Sequence, residues 1–305
     1  MKFLLLLLLS WMSAVVPAQT VTIIVPYTAG GAADVAARTL EKTLSKRLSY
    51  NFVVEYQIGA GGIIAANNVA KNHNKENVLL LHSSAIATNS FNPNSTYNLL
   101  QDFIPVAKLG SVPMVLVSSN NSNLYSVKQL RSLKESSFYG SGGVGTAGHV
   151  AGEILQQQIN QNLLPVFYKG ELTALNDVLT NIIPMMFVSI STATNYAKSN
   201  QIKLLAVTGT QRSKKIPTVP TFAEQGIKNF ERSPSWFVVL ANPGADVEVI
   251  RKIKAAVIDS FNNAQDIDLY DRAGVELNSQ PVAAVLEFLA EEIEKIRPFQ
   301  SKLKQ

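Results

Sequence analysis

The residues that could do chemistry in this chain are glycines, small hydroxyl residues and three histidines, gathered in short clusters. Gly30-Gly31, Gly59-Ala60-Gly61-Gly62, His82-Ser83-Ser84 and Gly140-Ser141-Gly142-Gly143-Val144-Gly145-Thr146 offer backbone N–H groups or hydroxyls and almost no charge. A glycine loop at a helix start aims several N–H groups at one point, and the helix dipole adds to their pull on an anion. The first loop therefore reads as the holder of a carboxylate, although Gly30-Gly31 taken alone is also an ordinary tight turn. The fourth cluster contains a literal GxGxxG at Gly140, Gly142 and Gly145. One such match is a weak sign of a dinucleotide. A second anion loop is the better reading, with Thr146 supplying a hydroxyl and the glycines supplying N–H groups.

Other chemistries lack their parts. The chain has no cysteine, which excludes disulfides and thiol catalysis. His73, His82 and His149 show no metal-ligand spacing, and neither a GxSxG elbow nor an HExxH occurs. Ser83 with His149 keeps a secreted hydrolase as a rival reading. Lys169, beside Gly170, either adds charge to a cleft or is simply solvated. The net charge of +5 is spread without a dense Lys/Arg cluster. That balance suits an anionic ligand and gives no case for nucleic acid.

These clusters need elements to place them. Residues 21–25 are β-branched and uncharged, a buried strand that Pro26 ends. From Asp34 the period becomes helical, through Ala36, Ala37, Leu40, Leu44 and Leu48. Residues 52–55 and 78–81 are further strands, and 63–71 is an alanine-rich helix. Three strands that each deliver a small or glycine-rich loop indicate a parallel doubly wound sheet, whose ligands bind beyond the carboxyl ends of the strands. Residues 112–118 read as an extended segment, and the polar loop Ser119-Asn120-Asn121-Ser122-Asn123 as the first crossover. Strands are expected at 166–168, 184–189 and 204–208, and helices at 126–134, 150–159, 172–179 and 192–198. Residues 236–241 form a strong apolar strand and the second crossover. Helices at 249–261 and within 281–298 carry apolar stripes that pack on the parent domain.

Residues 1–18 stand apart. Lys2, the apolar run from Phe3 to Leu9 and Val16-Pro17-Ala18 have the pattern of a secretory signal peptide cleaved near Ala18. The apolar run is short of the roughly 20 residues that span a bilayer. With no cysteine after the small residues, a bacterial lipoprotein is excluded. The 47% hydrophobic content is enough for a core that must hold without disulfides.

An ordered set of motifs covers nearly the whole mature chain. It begins with Val25-Pro26-Tyr27-x-x-Gly30-Gly31-x-x-Asp34, Gly59-Ala60-Gly61-Gly62, and Leu79-Leu80-Leu81-x-Ser83-Ser84. Asp102-Phe103-x-Pro105-Val106, Tyr139-Gly140-Ser141-Gly142, Gly145-Thr146 and His149-x-Ala151-Gly152-Glu153 follow. Tyr168-Lys169-Gly170, Met185-Met186-Phe187, Leu205-Ala206-Val207-Thr208 and Val219-Pro220-Thr221 complete it. The set resembles the solute receptors of tripartite tricarboxylate transporters, also called the Bug or TctC-like family of periplasmic receptors.

The resemblance implies an α/β protein of the two-lobed type II, Venus-flytrap kind, each lobe a doubly wound sheet, joined by two crossover segments. Lobe 1 is expected over 19–117 and 236–305, and lobe 2 over 118–235. In the family, a ligand carboxylate is held by backbone groups of the first-lobe loops, partly through ordered water. Carried over, these contacts fall on Tyr27, Gly30, Gly31, Ala32, Ala33, Gly61 and Ser83, with Gly143, Thr146 and Ser189 in the second lobe. Asp34 matches a family position and is read as a local capping group. The family has a hydroxyl residue where Ala32 and Ala33 stand, and asparagine and proline where Tyr56 and Ile58 stand. Pro184 and Val188 also depart, leaving Ser189 as the nearest polar contact there. These changes fit either a more apolar acid, an aromatic one included, or drift. The implied protein is a periplasmic monomer that binds a small organic anion, needs no cofactor or metal, and is not an enzyme. It serves the integral-membrane permease subunits of a tripartite transporter, or alternatively a sensor kinase.

Overall fold

The computed structural model describes residues 19–74, 76–132, 136–230, 235–272, 274–277 and 284–301. The expected signal peptide lies outside the described residues. The first run of elements is β1 (Thr20–Val25), α1 (Ala32–Ser45), β2 (Asn51–Tyr56), α2 (Ile63–Ala70), β3 (Asn77–Ser83), α3 (Ala85–Asn89) and β4 (Ile104–Ser111). The second is β5 (Met114–Ser119), α4 (Val127–Leu130), β6 (Ser137–Ser141), α5 (Ala147–Ile159), β7 (Leu163–Phe167), α6 (Glu171–Leu179), β8 (Met185–Ser189), α7 (Ile190–Lys198) and β9 (Ile202–Val207). The last is β10 (Trp236–Ala241), α8 (Val247–Ser260), α9 (Ala264–Arg272) and α10 (Val285–Ile296).

The strands form two five-stranded sheets, ordered β2-β1-β3-β10-β4 and β7-β6-β8-β5-β9. Each sheet is covered on both faces, as the largely apolar central strands require. On the first, α1 and α8 bury Ala36, Ala37, Leu40, Ile253 and Val257 against one face. The other face receives Ala65 and Val69 of α2 and Phe288 and Leu289 of α10. The stripe of α10 thus packs on its own lobe. On the second sheet, α5 covers one face through Ala151 and Leu155. Helices α6 and α7 cover the other through Leu175, Val178 and Ala193.

Two features correct the sequence reading. First, neither sheet is wholly parallel: β10 runs antiparallel to both β3 and β4, and β5 to both β8 and β9. Both reversed strands directly follow a passage between sheets. A chain that enters a sheet from the interlobe end must run away from it, opposite to strands whose carboxyl ends point there. Second, the extended segment before the polar loop belongs to the second sheet. The chain crosses between Ser111 and Met114, ahead of the expected crossover in residues 119–123, because β5 hydrogen-bonds to β8 and β9.

The two passages lie side by side. Val112 N–H donates to the Ser235 carbonyl at 2.8 Å, and Ser111 exchanges backbone bonds with Glu276 at 3.0 and 2.8 Å. Gly110 is required there: a Cβ would lie 2.3 Å from the Glu276 carbonyl oxygen.

Candidate functional site

The loops that follow β1, β2 and β3 converge at the interlobe end of the first sheet. Tyr27, just beyond β1, places its hydroxyl 2.5 Å from Ser83 Oγ at the end of β3. The same hydroxyl lies 3.2 Å from His82 Nδ1, and Nδ1 lies 2.9 Å from the Ser83 carbonyl oxygen. A carbonyl only accepts, so Nδ1 carries the proton and Nε2 is bare. Nε2 is buried without a hydrogen-bond partner among the described residues. Burial pushes His82 down to about 4, against the opposing pull of the Ser83 and Gly62 backbones. Burial also pushes Tyr27 up to about 12, against its hydrogen bonds with Ser83. Both side chains are therefore neutral at pH 7, and this pair presents dipoles rather than charge.

The Gly30-Gly31 loop is closed from within. Gly30 has φ +90°, and its N–H donates to Asp34 Oδ2 at 2.7 Å. Asp34 Oδ1 accepts from the Tyr56 hydroxyl at 2.6 Å and from Arg38 Nε at 2.9 Å. Burial alone would raise the Asp34 carboxyl, but Tyr56, Gly30 and Arg38 together hold it below the usual carboxylate range. Tyr56, a departure from the family pattern, thus helps anchor Asp34. The Gly30 N–H expected at a ligand is already engaged, and Asp34 has the local role expected of it. Helix α1 starts at Ala32. The N–H groups of Ala32, Ala33 and Asp34 have no carbonyl one turn back to bond.

The second-lobe loop stands opposite. A Cβ on Gly61 would lie 3.6 Å from the Val144 carbonyl oxygen, and one on Gly145 3.1 Å from Thr88 Cγ2. The loop after β2 and the segment after β3 therefore meet the loop after β6. Asn89 links them: its Nδ2 donates to the Gly61 carbonyl at 3.0 Å, and its Oδ1 is 3.4 Å from the Gly145 Cβ position. Thr146 donates its hydroxyl to the Gly143 carbonyl at 2.8 Å and sits 3.1 Å from Ser141 Oγ, so it shapes the loop. His149 Nδ1 receives the Gly145 N–H at 3.0 Å, and its ring packs edge-on to Phe167. That is a loop-supporting histidine.

Ser189 behaves differently from the expectation of a ligand contact. It is buried, it caps α7, and its hydroxyl donates to Glu171 Oε1 at 3.0 Å. Of the ten expected residues, the structure groups Tyr27 with Ser83, Gly143 with Thr146, and brings Gly61 against the loop between them. Ser189 stands with Glu171 instead. Sequence reasoning missed Asn89, which carries no signal inside a short helix, and Glu171, which was visible as an acidic residue directly after the Lys169-Gly170 loop. A cavity of about 1240 Å³ lies along the crossover between Ser111, Trp236 and α10 and is lined by none of the ten. No described group of three or more His, Cys, Asp or Glu side chains could hold a metal ion.

Comparison with known proteins places this geometry. Residues 36–304 match the family described as the tripartite tricarboxylate transporter family receptor. The chain is 30% identical to Protein BugT of Bordetella pertussis (strain Tohama I), over 94% of this chain and 91% of that one. Among solved structures, the periplasmic binding protein BugD is 25% identical, with a TM-score of 0.83 covering 95% of this chain and 100% of that one. A protein of R. palustris solved with adipate is also 25% identical, with a TM-score of 0.85 over 94% and 97%.

Proposed function

The chain belongs to the tripartite tricarboxylate transporter receptor family, and we propose that it captures a small organic carboxylate between its lobes and delivers it to a membrane transporter. The family and the structural neighbours are solute-binding receptors, not enzymes. The observation that carries the carboxylate reading is the approach of two glycine loops from different sheets, Gly61 facing Val144 and Gly145 facing Thr88. A ligand held between them gains contacts that exist only when the lobes are together, which shifts the population towards that state. The first-turn N–H groups of α1 and the Tyr27–Ser83 hydroxyl pair would hold the carboxylate. The adipate of the R. palustris neighbour supports an organic acid as cargo. The proposed location is the periplasm, after removal of residues 1–18, with the protein acting as a monomer beside integral-membrane permease subunits. No described helix is long and apolar enough to cross a membrane.

A thermal-shift screen against mono-, di- and tricarboxylates, aromatic acids and acidic amino acids tests the reading. A ligand at 100 times its Kd adds about 2.7 kcal/mol. That should raise the melting point by about 5 °C in a chain of this length. The expected result is a shift with one class of acid, weakened by Gly31→Val. No shift with any acid, in protein freed of carried-over ligand, overturns the reading.

A further inference from the structure

We propose that Glu171 fills the second lobe's anion niche with the chain's own carboxylate, so that the ligand brings one carboxylate and, at its far end, an uncharged or cationic hydrogen-bond donor. The proposal rests on the carboxylate reading above and names the class of acid.

Glu171 is the first residue of α6, and its carboxylate crosses to the start of α7. Oε1 accepts from the Ser189 hydroxyl at 3.0 Å and the Thr192 hydroxyl at 2.5 Å. Oε2 accepts from the Ser189 N–H at 2.9 Å. Two hydroxyls and an N–H at a helix N-terminus are the donors that bind an anion, and here they are already engaged. Burial raises the Glu171 carboxyl above its ordinary range, while the Thr192 hydroxyl and the N–H and hydroxyl of Ser189 pull it back towards the ionised form. In that form it offers about four acceptor positions, so three donors leave roughly one open. An N–H or O–H from a ligand fits that position, whereas a second carboxylate would meet like charge.

The backbone at the start of α6 packs against the glycine loop after β6. Gly170 N–H donates to the Gly142 carbonyl at 3.1 Å, and a Cβ on Gly142 would lie 2.9 Å from Glu171 N. Glu171 therefore adjoins the glycine loop that faces the first lobe, and it is partly exposed. A group that served only to cap α7 would need no such position, because Ser189 already accepts the Thr192 N–H.

The test is calorimetric titration of the purified protein with matched acids of four to six carbons: the diacid, its monoamide and the corresponding ω-amino acid. The expected result is that the monoamide or amino acid binds at least about tenfold more tightly than the diacid of equal length, and that Glu171→Gln narrows this ratio by a similar factor. A diacid that binds the unaltered protein as tightly as its monoamide overturns the proposal without needing any variant. So does a Glu171→Gln protein, folded by its melting curve, whose ratio is unchanged. If one of the diacids binds best, the carboxylate reading stands and this inference alone fails. If none of these acids nor any of the acids in the thermal screen binds, both fail.

Discussion

The hydroxyls of Tyr27 and Ser83 stand 2.5 Å apart and tie the end of β1 to the end of β3. These strands are neighbours in the sheet, so the bond fixes how their two loops sit relative to each other. Tyr27→Phe keeps the ring, which packs edge-on to His82, and removes only the hydroxyl. The expected outcome is a stability loss of about 1 kcal/mol and a larger proportional loss of ligand affinity. Urea unfolding and calorimetric titration measure the two separately. An affinity equal to that of the unaltered protein would show that the pair does not face the ligand.

His82 gives the protein an acid sensitivity with a defined window. Its value falls from 6.5 in the unfolded chain to about 4 in the native state. The unfolded state therefore binds the proton more readily, and stability declines as pH falls from about 6.5 towards 4. The full effect is on the order of 3 kcal/mol. Unfolding free energies at pH 7 and pH 4.5 should differ accordingly, and His82→Gln should flatten that slope. A slope unaltered by the substitution would place the titrating group elsewhere.

Asp34 acts at lower pH. Its carboxyl is held below the ordinary range, so the stability it contributes is present above about pH 4 and is lost as pH falls further. Asp34→Asn leaves the shape but weakens the bonds from Gly30, Tyr56 and Arg38. A loss of about 2 kcal/mol at pH 7 is expected, together with weaker ligand binding as the Gly30 loop opens. Unfolding curves at pH 7 and pH 3 should converge for the two proteins at the lower pH.

Gly145→Ala tests the approach of the lobes. The position has φ +73°, and the new methyl would press on Thr88 Cγ2 at 3.1 Å across the cleft. The left-handed backbone alone costs about 1 kcal/mol with a side chain present. The contact should further disfavour the closed arrangement. Expected outcomes are a modest fall in melting temperature and a clearly larger fall in affinity, read by the same titration. Equal losses in the two would mean that only local strain is at work.

Much of this site was legible in the chain because it is local. The strand 21–25, the glycines after it and the helix that follows are one continuous stretch, and periodicity alone separates them. The same holds for 52–71 and 138–159. What was not legible depends on residues far apart in sequence. Tyr56 reaching Asp34, Asn89 joining Gly61, and Glu171 taking the Ser189 hydroxyl are contacts between different units, and no spacing rule announces them. The reversed strands β5 and β10 were hidden for a similar reason. Their apolar runs fit a central strand in either direction, and only the route of the chain between sheets decides which way they run.

That route makes the molecule modular. Strands β4 and β10 are adjacent and antiparallel in the first sheet, and Ser111 sits opposite Trp236 in their register. They have the relationship of two arms of a β-hairpin, and everything from Val112 to Ser235 occupies the place of its turn. The second sheet is thus an insert with its entry and exit one residue pair apart. A short linker joining Ser111 to Trp236 would preserve the order of all five strands in the remaining sheet.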